Sequence, residues 1–141
     1  MTGVKFYHAM IRVSDPAETI NFFGLIGMTQ VNRIDDEANR YSLYYLAMPG
    51  DEKEAQIELT HNWDEKGYTC GRNFGHLAFY VDNIYDVCER LMNAGVAINR
   101  PPRDGYMAFV KTPDDISIEF LQREALAPKE PWISMPNVGR W

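Results

Sequence analysis

His8, Glu58, His76 and Glu119 are the residues whose types and spacing could do chemistry, and that chemistry would be metal-assisted. Two imidazoles and two carboxylates make a mixed nitrogen and oxygen donor set suited to Ni²⁺, Zn²⁺, Co²⁺ or Mn²⁺. Four such donors leave open positions on an octahedral ion, as a catalytic centre requires. Singly they carry little meaning, since a histidine opening a strand is ordinarily a part-buried polar residue and a mid-strand glutamate ordinarily faces solvent. Repetition sets them apart. Glu58 sits in AQIELTH (55–61) and Glu119 in ISIEFLQ (116–122), each as Ile-Glu-apolar. In a strand each carboxylate therefore lies on the face opposite its apolar neighbours. The stretches FYHAMIRVSDPAETINFFGLIGM (6–28) and FGHLAFYVDNIYDVCERLMNAGV (74–96) share one layout, in which a histidine opens an alternating strand and a polar turn leads into an amphipathic helix ending near glycine. Of the three histidines in the chain, two fall at matching places in this repeat.

The elements that must position these residues follow from the same repeat. Asp15-Pro16-Ala17-Glu18 supplies a helix cap, a first-turn proline and an acid at the third helical position. In the second half, Ile84, Val87, Cys88, Leu91 and Met92 form an apolar stripe at helical spacing, and Gly95 is a natural stop. Strands are expected over 28–34, 41–48 and 56–61, and again over 96–100, 106–111 and 116–121. Each half thus reads βαβββ, an α+β arrangement. The glycine-containing stretch 62–73 reads as the connector between halves. The segment 127–141, with three prolines and two tryptophans, reads as an extended arm that docks on the body, because freely exposed tryptophan is costly apolar surface.

Composition narrows the class. A chain of 141 residues with 45% hydrophobic content can bury about two-thirds of its unfolded surface in one domain or two very small ones. A formal charge of -6 and the absence of a basic run argue against nucleic acid and for a small-molecule partner. The N-terminal MTGVKFYHAMIRV lacks the pattern of a signal peptide, and apolar residues nowhere run to the ~18 of a membrane span, so a cytoplasmic location is expected. Cys70 and Cys88 are not spaced as a zinc clamp and read as reduced thiols.

The motifs His8-Ala9-Met10-Ile11-Arg12, Ile57-Glu58-Leu59-Thr60-His61-Asn62-Trp63, Phe74-Gly75-His76-Leu77-Ala78 and Ile118-Glu119 carry a resemblance over residues 5–123. The chain resembles the glyoxalase I (lactoylglutathione lyase) branch of the vicinal oxygen chelate superfamily, which also includes bleomycin resistance proteins and dioxygenases. The resemblance implies one domain over 1–126, built of two βαβββ modules (about 5–62 and 74–123) whose mixed sheet curves into a cup around one divalent metal, with 127–141 as an arm beyond it. It implies His8, Glu58, His76 and Glu119 as metal ligands, with Ni²⁺ favoured and Zn²⁺ or Co²⁺ as alternatives. The implied reaction converts the hemithioacetal of methylglyoxal and glutathione to S-lactoylglutathione. Lewis acidity stabilises the enediolate, and a glutamate moves the proton between adjacent carbons. Glu119 is the first choice for that shuttle, with Glu58 as ligand and second base. Arg12, Asn62 and Arg72 are the implied glutathione contacts. Short members of the branch imply a homodimer in which His8 and Glu58 of one subunit meet His76 and Glu119 of the other.

Several features depart from the family pattern. The first helix ends one residue short of the usual Phe-Tyr-x-x-x-Leu-Gly-Met, the 99–105 loop is shorter, and the Pro-Asp-Gly turn reads Pro113-Asp114-Asp115. No lysine stands where relatives use one for the glycyl carboxylate, leaving Arg100 or Arg103 as substitutes. Other functions on the same fold are a metal-dependent thioester epimerase and a metal-free small-molecule binding or resistance protein. Extradiol dioxygenases and fosfomycin-modifying enzymes use three protein ligands, which the fourth, Glu58, argues against.

Overall fold

The computed structural model describes residues 3–53 and 56–141. The chain forms two compact units, one through Tyr68 and the other Thr69–Trp141. The first carries β1 (His8–Arg12), α1 (Pro16–Leu25), β2 (Thr29–Asp36), β3 (Tyr41–Ala47) and β4 (Gln56–Asn62). These strands make one sheet in the order β1-β4-β3-β2. The second unit carries β5 (His76–Val81), α2 (Ile84–Asn93), β6 (Met107–Lys111) and β7 (Ser117–Gln122), with sheet order β5-β7-β6. The α+β class follows directly.

Both helices are set by local chemistry. The Asp15 carboxylate accepts from the Glu18 N–H at 3.2 Å and Pro16 opens α1, while the Asn83 side chain accepts from the Tyr85 and Asp86 N–H groups to open α2. Each helix ends on a glycine in the left-handed region, Gly27 (φ 99°) and Gly95 (φ 87°). Just beyond them the Met28 N–H reaches the Phe23 carbonyl at 3.1 Å and the Val96 N–H reaches the Leu91 carbonyl at 3.0 Å. That paired ending is the Schellman arrangement, which a side chain at the glycine would strain. Thr19, Phe22 and Phe23 form the buried face of α1. Each large side chain withdrawn from water in this way contributes about 1.5–3 kcal/mol.

The second half departs from expectation in two places. Residues 96–100 do not form a strand. Only Arg100 bridges to Phe109, because Pro101 and Pro102 lack the N–H groups that would extend the ladder, and the Asn99 carbonyl is taken by the Val138 N–H at 2.8 Å. The buried face of α2 is Ile84, Tyr85, Cys88 and Leu91; Met92 is 40% exposed. Tyr85 joins the core because Trp132, itself 4% exposed, stacks on its ring at 6.1 Å. The expected docking of the arm within this unit thus changes which residues of the helix are covered.

Candidate metal centre

The two sheets place the four candidate residues by the same register. In the first unit β1 runs parallel to β4 with His8 opposite Gln56, so Glu58 lies two residues further along on the same face. In the second, β5 runs parallel to β7 with His76 opposite Ser117, and Glu119 is again two residues further along. Next to each glutamate on the other side stands an aromatic residue, Tyr45 opposite Glu58 and Phe109 opposite Glu119. Those rings meet the histidines edge-on, Tyr45 with His8 at 5.7 Å and Phe109 with His76 at 5.4 Å. The sequence repeat is therefore a repeat of side-chain geometry.

Each unit brings one imidazole to one carboxylate. His8 Nε2 lies 2.8 Å from Glu58 Oε2, and His76 Nε2 lies 3.8 Å from Glu119 Oε2. The two pairs differ in setting. Thr60 Oγ1 donates to Glu58 Oε1 at 3.2 Å, and Tyr45 has its pKa raised by burial and by hydrogen bonding to Glu58. The corresponding neighbours of Glu119 are Phe109 and Leu121, neither of which carries a donor side chain. Glu58 is thus a tethered carboxylate and Glu119 an untethered one, a distinction set by Thr60 against Leu121 within the motifs and by Tyr45 against Phe109 across the ladder. His8 is less exposed than His76, 24% against 42% for the side chains.

The donor chemistry fits a divalent ion. Neighbouring ligands each about 2.1 Å from one ion and at right angles stand roughly 3 Å apart, and the observed 2.8 and 3.8 Å separations span that spacing. The buried His8 Nδ1 has no hydrogen-bond partner, so this ring's polar contact is made through Nε2 at the carboxylate. Among the described residues, no three His, Cys, Asp or Glu side chains gather within either unit. The remaining histidine, His61, places Nδ1 3.2 Å from the Val13 carbonyl and belongs to the packing of the first unit. Burial pushes the Cys88 thiol up to about 12, whereas Cys70 is exposed.

Of the residues expected to hold glutathione, Arg12 is exposed and follows His8 and Met10 along one face of β1. Asn62 ends β4, half-buried and paired across to Tyr41. Arg72 is exposed in the loop before His76. Arg100 and Arg103 are committed to structure. Arg100 donates to the Met107 carbonyl and to Asp104 at 3.1 Å, and Arg103 donates to the Met135 carbonyl at 3.0 Å. The turn at 112–116 keeps its conformation without the usual glycine, since Asp115 adopts φ 67° and its N–H reaches the Thr112 carbonyl at 2.9 Å. Sequence reasoning missed Tyr45, Thr60, Lys111, Arg140 and Trp141 near the candidate residues. Thr60 was readable by alternation with Glu58; the others depend on strand register or on the path of the arm.

Comparison with known proteins places this geometry in a class. The profile of the Glyoxalase/Bleomycin resistance protein/Dioxygenase superfamily matches residues 5–120, and the chain belongs to that superfamily. It is 35% identical over 129 residues to the lactoylglutathione lyase of Neisseria meningitidis serogroup A, covering 86% of this chain and 93% of that one. It is 34% identical over 130 residues to a probable lactoylglutathione lyase of Vibrio cholerae, covering 88% and 94%. Among solved structures, the trypanothione-dependent glyoxalase I of Leishmania major superposes with a TM-score of 0.80 at 29% identity, covering 85% of this chain and 87% of that one.

Proposed function

We propose that this protein is a lactoylglutathione lyase, a metal-dependent glyoxalase I that isomerises the hemithioacetal of methylglyoxal and glutathione to S-lactoylglutathione. The observation that carries the reading is the duplicated register that sets one imidazole against one carboxylate in each unit. Relatives carrying that name match over most of their length. His8, Glu58, His76 and Glu119 would hold one divalent ion, Ni²⁺ in preference to Zn²⁺ or Co²⁺. A bound ion supplies Lewis acidity where negative charge develops on the substrate oxygens.

The chain's own residues then divide the remaining work. Glu119 takes the proton from the carbon bearing sulfur and returns it to the adjacent former carbonyl carbon, while the hydroxyl proton on the first carbon passes to the oxygen of the second, leaving a thioester at the first and a hydroxyl-bearing carbon at the second. Its lack of hydrogen-bond donors from Phe109 and Leu121 suits a base that must gain and lose a proton. Glu58, held by Thr60 and near Tyr45, suits a fixed ligand, with the role of second base behind Glu119. Arg12, Asn62 and Arg72 orient the tripeptide through its carboxylate and amide groups. In this reading residues 1–126 are one vicinal oxygen chelate domain, the chain is a cytoplasmic homodimer, and each site draws His8 and Glu58 from one subunit and His76 and Glu119 from the other. Among the described residues no helix is long and apolar enough to cross a membrane.

The test is metal analysis of protein purified without chelator, followed by assay with preformed hemithioacetal. Thioester formation that chelation abolishes and Ni²⁺ restores best is expected. Full metal occupancy without isomerisation overturns the function, and robust activity with Zn²⁺ but little with Ni²⁺ overturns the metal order. Because the Leishmania major neighbour is trypanothione-dependent, the trypanothione adduct of methylglyoxal belongs in the same assay. Faster turnover of that adduct than of the glutathione adduct would replace glutathione as the substrate.

A further inference from the structure

The arm beyond the family match does more than cover α2. It is pinned along its length: Tyr85 donates to the Ala127 carbonyl at 2.7 Å, Trp132 stacks on Tyr85, and Arg103 donates to the Met135 carbonyl. Asn99 and Val138 then exchange two hydrogen bonds at 2.8 and 2.9 Å. Gly139, in the left-handed region at φ 64°, turns the chain immediately after that pair. Beyond the turn the Trp141 indole lies on Phe109, with ring centroids 6.0 Å apart and planes 27° from parallel. Phe109 in turn meets the His76 imidazole edge-on, at 5.4 Å and 89°. Three rings therefore run in sequence from the arm to the candidate ligand. Trp141, Arg140 and His76 share the wall of one cavity of about 330 Å³.

The first unit shows why His76 depends on such support. There His8 meets two rings, Tyr7 at 4.6 Å and Tyr45 at 5.7 Å, and the Tyr45 hydroxyl is itself anchored by hydrogen bonding to Glu58. The second unit lacks both devices. Gly75 stands where Tyr7 does, and a Cβ there would meet nothing within 4 Å. Phe109 stands where Tyr45 does and has no hydroxyl to anchor it. Among the described residues it is the one ring that meets His76. A ring that makes no hydrogen bond is held by packing alone, and one face of Phe109 is packed by Trp141.

We propose that Trp141 is a positioning residue for His76, acting through Phe109: by stacking on that ring it fixes the surface against which the imidazole rests, and so the direction of Nε2. This goes beyond the lyase reading and rests on it only for His76 being a metal ligand. It gives residue 141 a part in the centre although the family profile matches residues 5–120. The physical reason is preorganisation, since a ligand ring that is free to rotate loses that freedom when the ion binds, whereas a ring already oriented does not.

The first measurement requires no metal. Proton and carbon signals of the three imidazoles are recorded on the apo protein at about pH 8.5, where an ordinary histidine is neutral. Trp141→Ala should shift the His76 signals, which the Phe109 ring current displaces, and leave those of His61 in place. Trp141→Phe keeps a ring and should leave both near wild type. The second measurement is Ni²⁺ affinity by competition with a chelator. Trp141→Ala should weaken it about tenfold and Trp141→Phe less than about twofold. In a Phe109→Leu background the same alanine change should cost less than about twofold, because the ring through which Trp141 acts is gone. Thermal melts of the apo variants check folding, which the 42% exposure of Trp141 favours. Unmoved His76 signals or unchanged Ni²⁺ affinity in folded Trp141→Ala overturns the proposal. So does a tenfold loss that persists in the Phe109→Leu background. If the variant also isomerises the hemithioacetal, that failure leaves the lyase reading standing. Wild-type protein that takes up no divalent ion overturns the metal-centre reading, while His76 signals that still follow Trp141 support the coupling of the arm to the imidazole.

Discussion

Glu119→Gln and Glu58→Gln are isosteric changes at matching positions, and the structure separates their consequences. Glutamine keeps an oxygen at each position but accepts no proton at neutral pH. At Glu119 the nearest polar side chain is the His76 imidazole at 3.8 Å, beyond hydrogen-bond distance, and Phe109 and Leu121 supply no donor. The substitution therefore breaks no strong protein contact and should cost less stability than the matching change at Glu58, although the two side chains are almost equally covered, 13% and 12% exposed. Its kinetic effect is the loss of a general base, a fall in kcat of about 10²–10⁴-fold, or roughly 2.7–5.5 kcal/mol in the barrier. At Glu58 the carboxylate is buried, meets His8 at 2.8 Å and accepts from Thr60 at 3.2 Å. Exchanging that charge for an amide weakens both contacts and should cost about 1–3 kcal/mol of stability in addition to activity. Denaturant melts, metal content and steady-state kinetics on the two variants separate these outcomes. Near-normal kcat in Glu119→Gln at full metal occupancy would refute the base assignment. Equal loss of stability in both variants would refute the argument that one carboxylate is tethered and the other is not.

The remaining predictions concern assembly, the arm and the buried thiol. Refolding Glu58→Gln and Glu119→Gln chains together should recover roughly a quarter of wild-type activity, since half the dimers are mixed and each has one intact site of two; no recovery despite confirmed mixed dimers would place the complete site in one chain. Gly105 has φ 72°, and a Cβ there would collide with the Leu126 carbonyl and lie 2.9 Å from the Tyr85 hydroxyl. Gly105→Ala should therefore cost about 2–4 kcal/mol in chemical denaturation, and an unchanged midpoint would show that the arm yields freely. Burial raises the Cys88 thiol from 9.0 to about 12, which favours its neutral form in the folded state. Its contribution to stability is then complete below the unfolded value and lost as pH rises from about 9 toward 12. Native protein at pH 8 should accept thiol reagent at Cys70 and not at Cys88, and rapid modification of both would refute that burial.

What the sequence determined by itself is what depends on nearest neighbours along the chain. The cap at Asp15 and the stop at Gly95 are local hydrogen-bond and dihedral requirements, so they were legible from residue type and position, whereas the first helix was read only as ending near glycine and the structure identifies that glycine as Gly27. Alternation in β4 and β7 put Glu58 and Glu119 on faces opposite their apolar neighbours, and the repeat put His8 and His76 in matching strands, so the four candidate residues could be named in advance. Tertiary structure decided what those residues touch. Strand register sets Tyr45 beside Glu58 and Phe109 beside Glu119, and that pairing adds to the Thr60 contact in making two similar motifs into chemically different carboxylates. The path of the arm replaced Met92 by Tyr85 in the core, took the Asn99 carbonyl from a strand that was expected to form, and brought Arg140 and Trp141 to the cavity beside His76. These contacts join residues some 30 to 65 positions apart. Local propensity and periodicity carry no information about which distant groups will meet, because the free energy that selects such contacts is gained only when the chain packs as a whole.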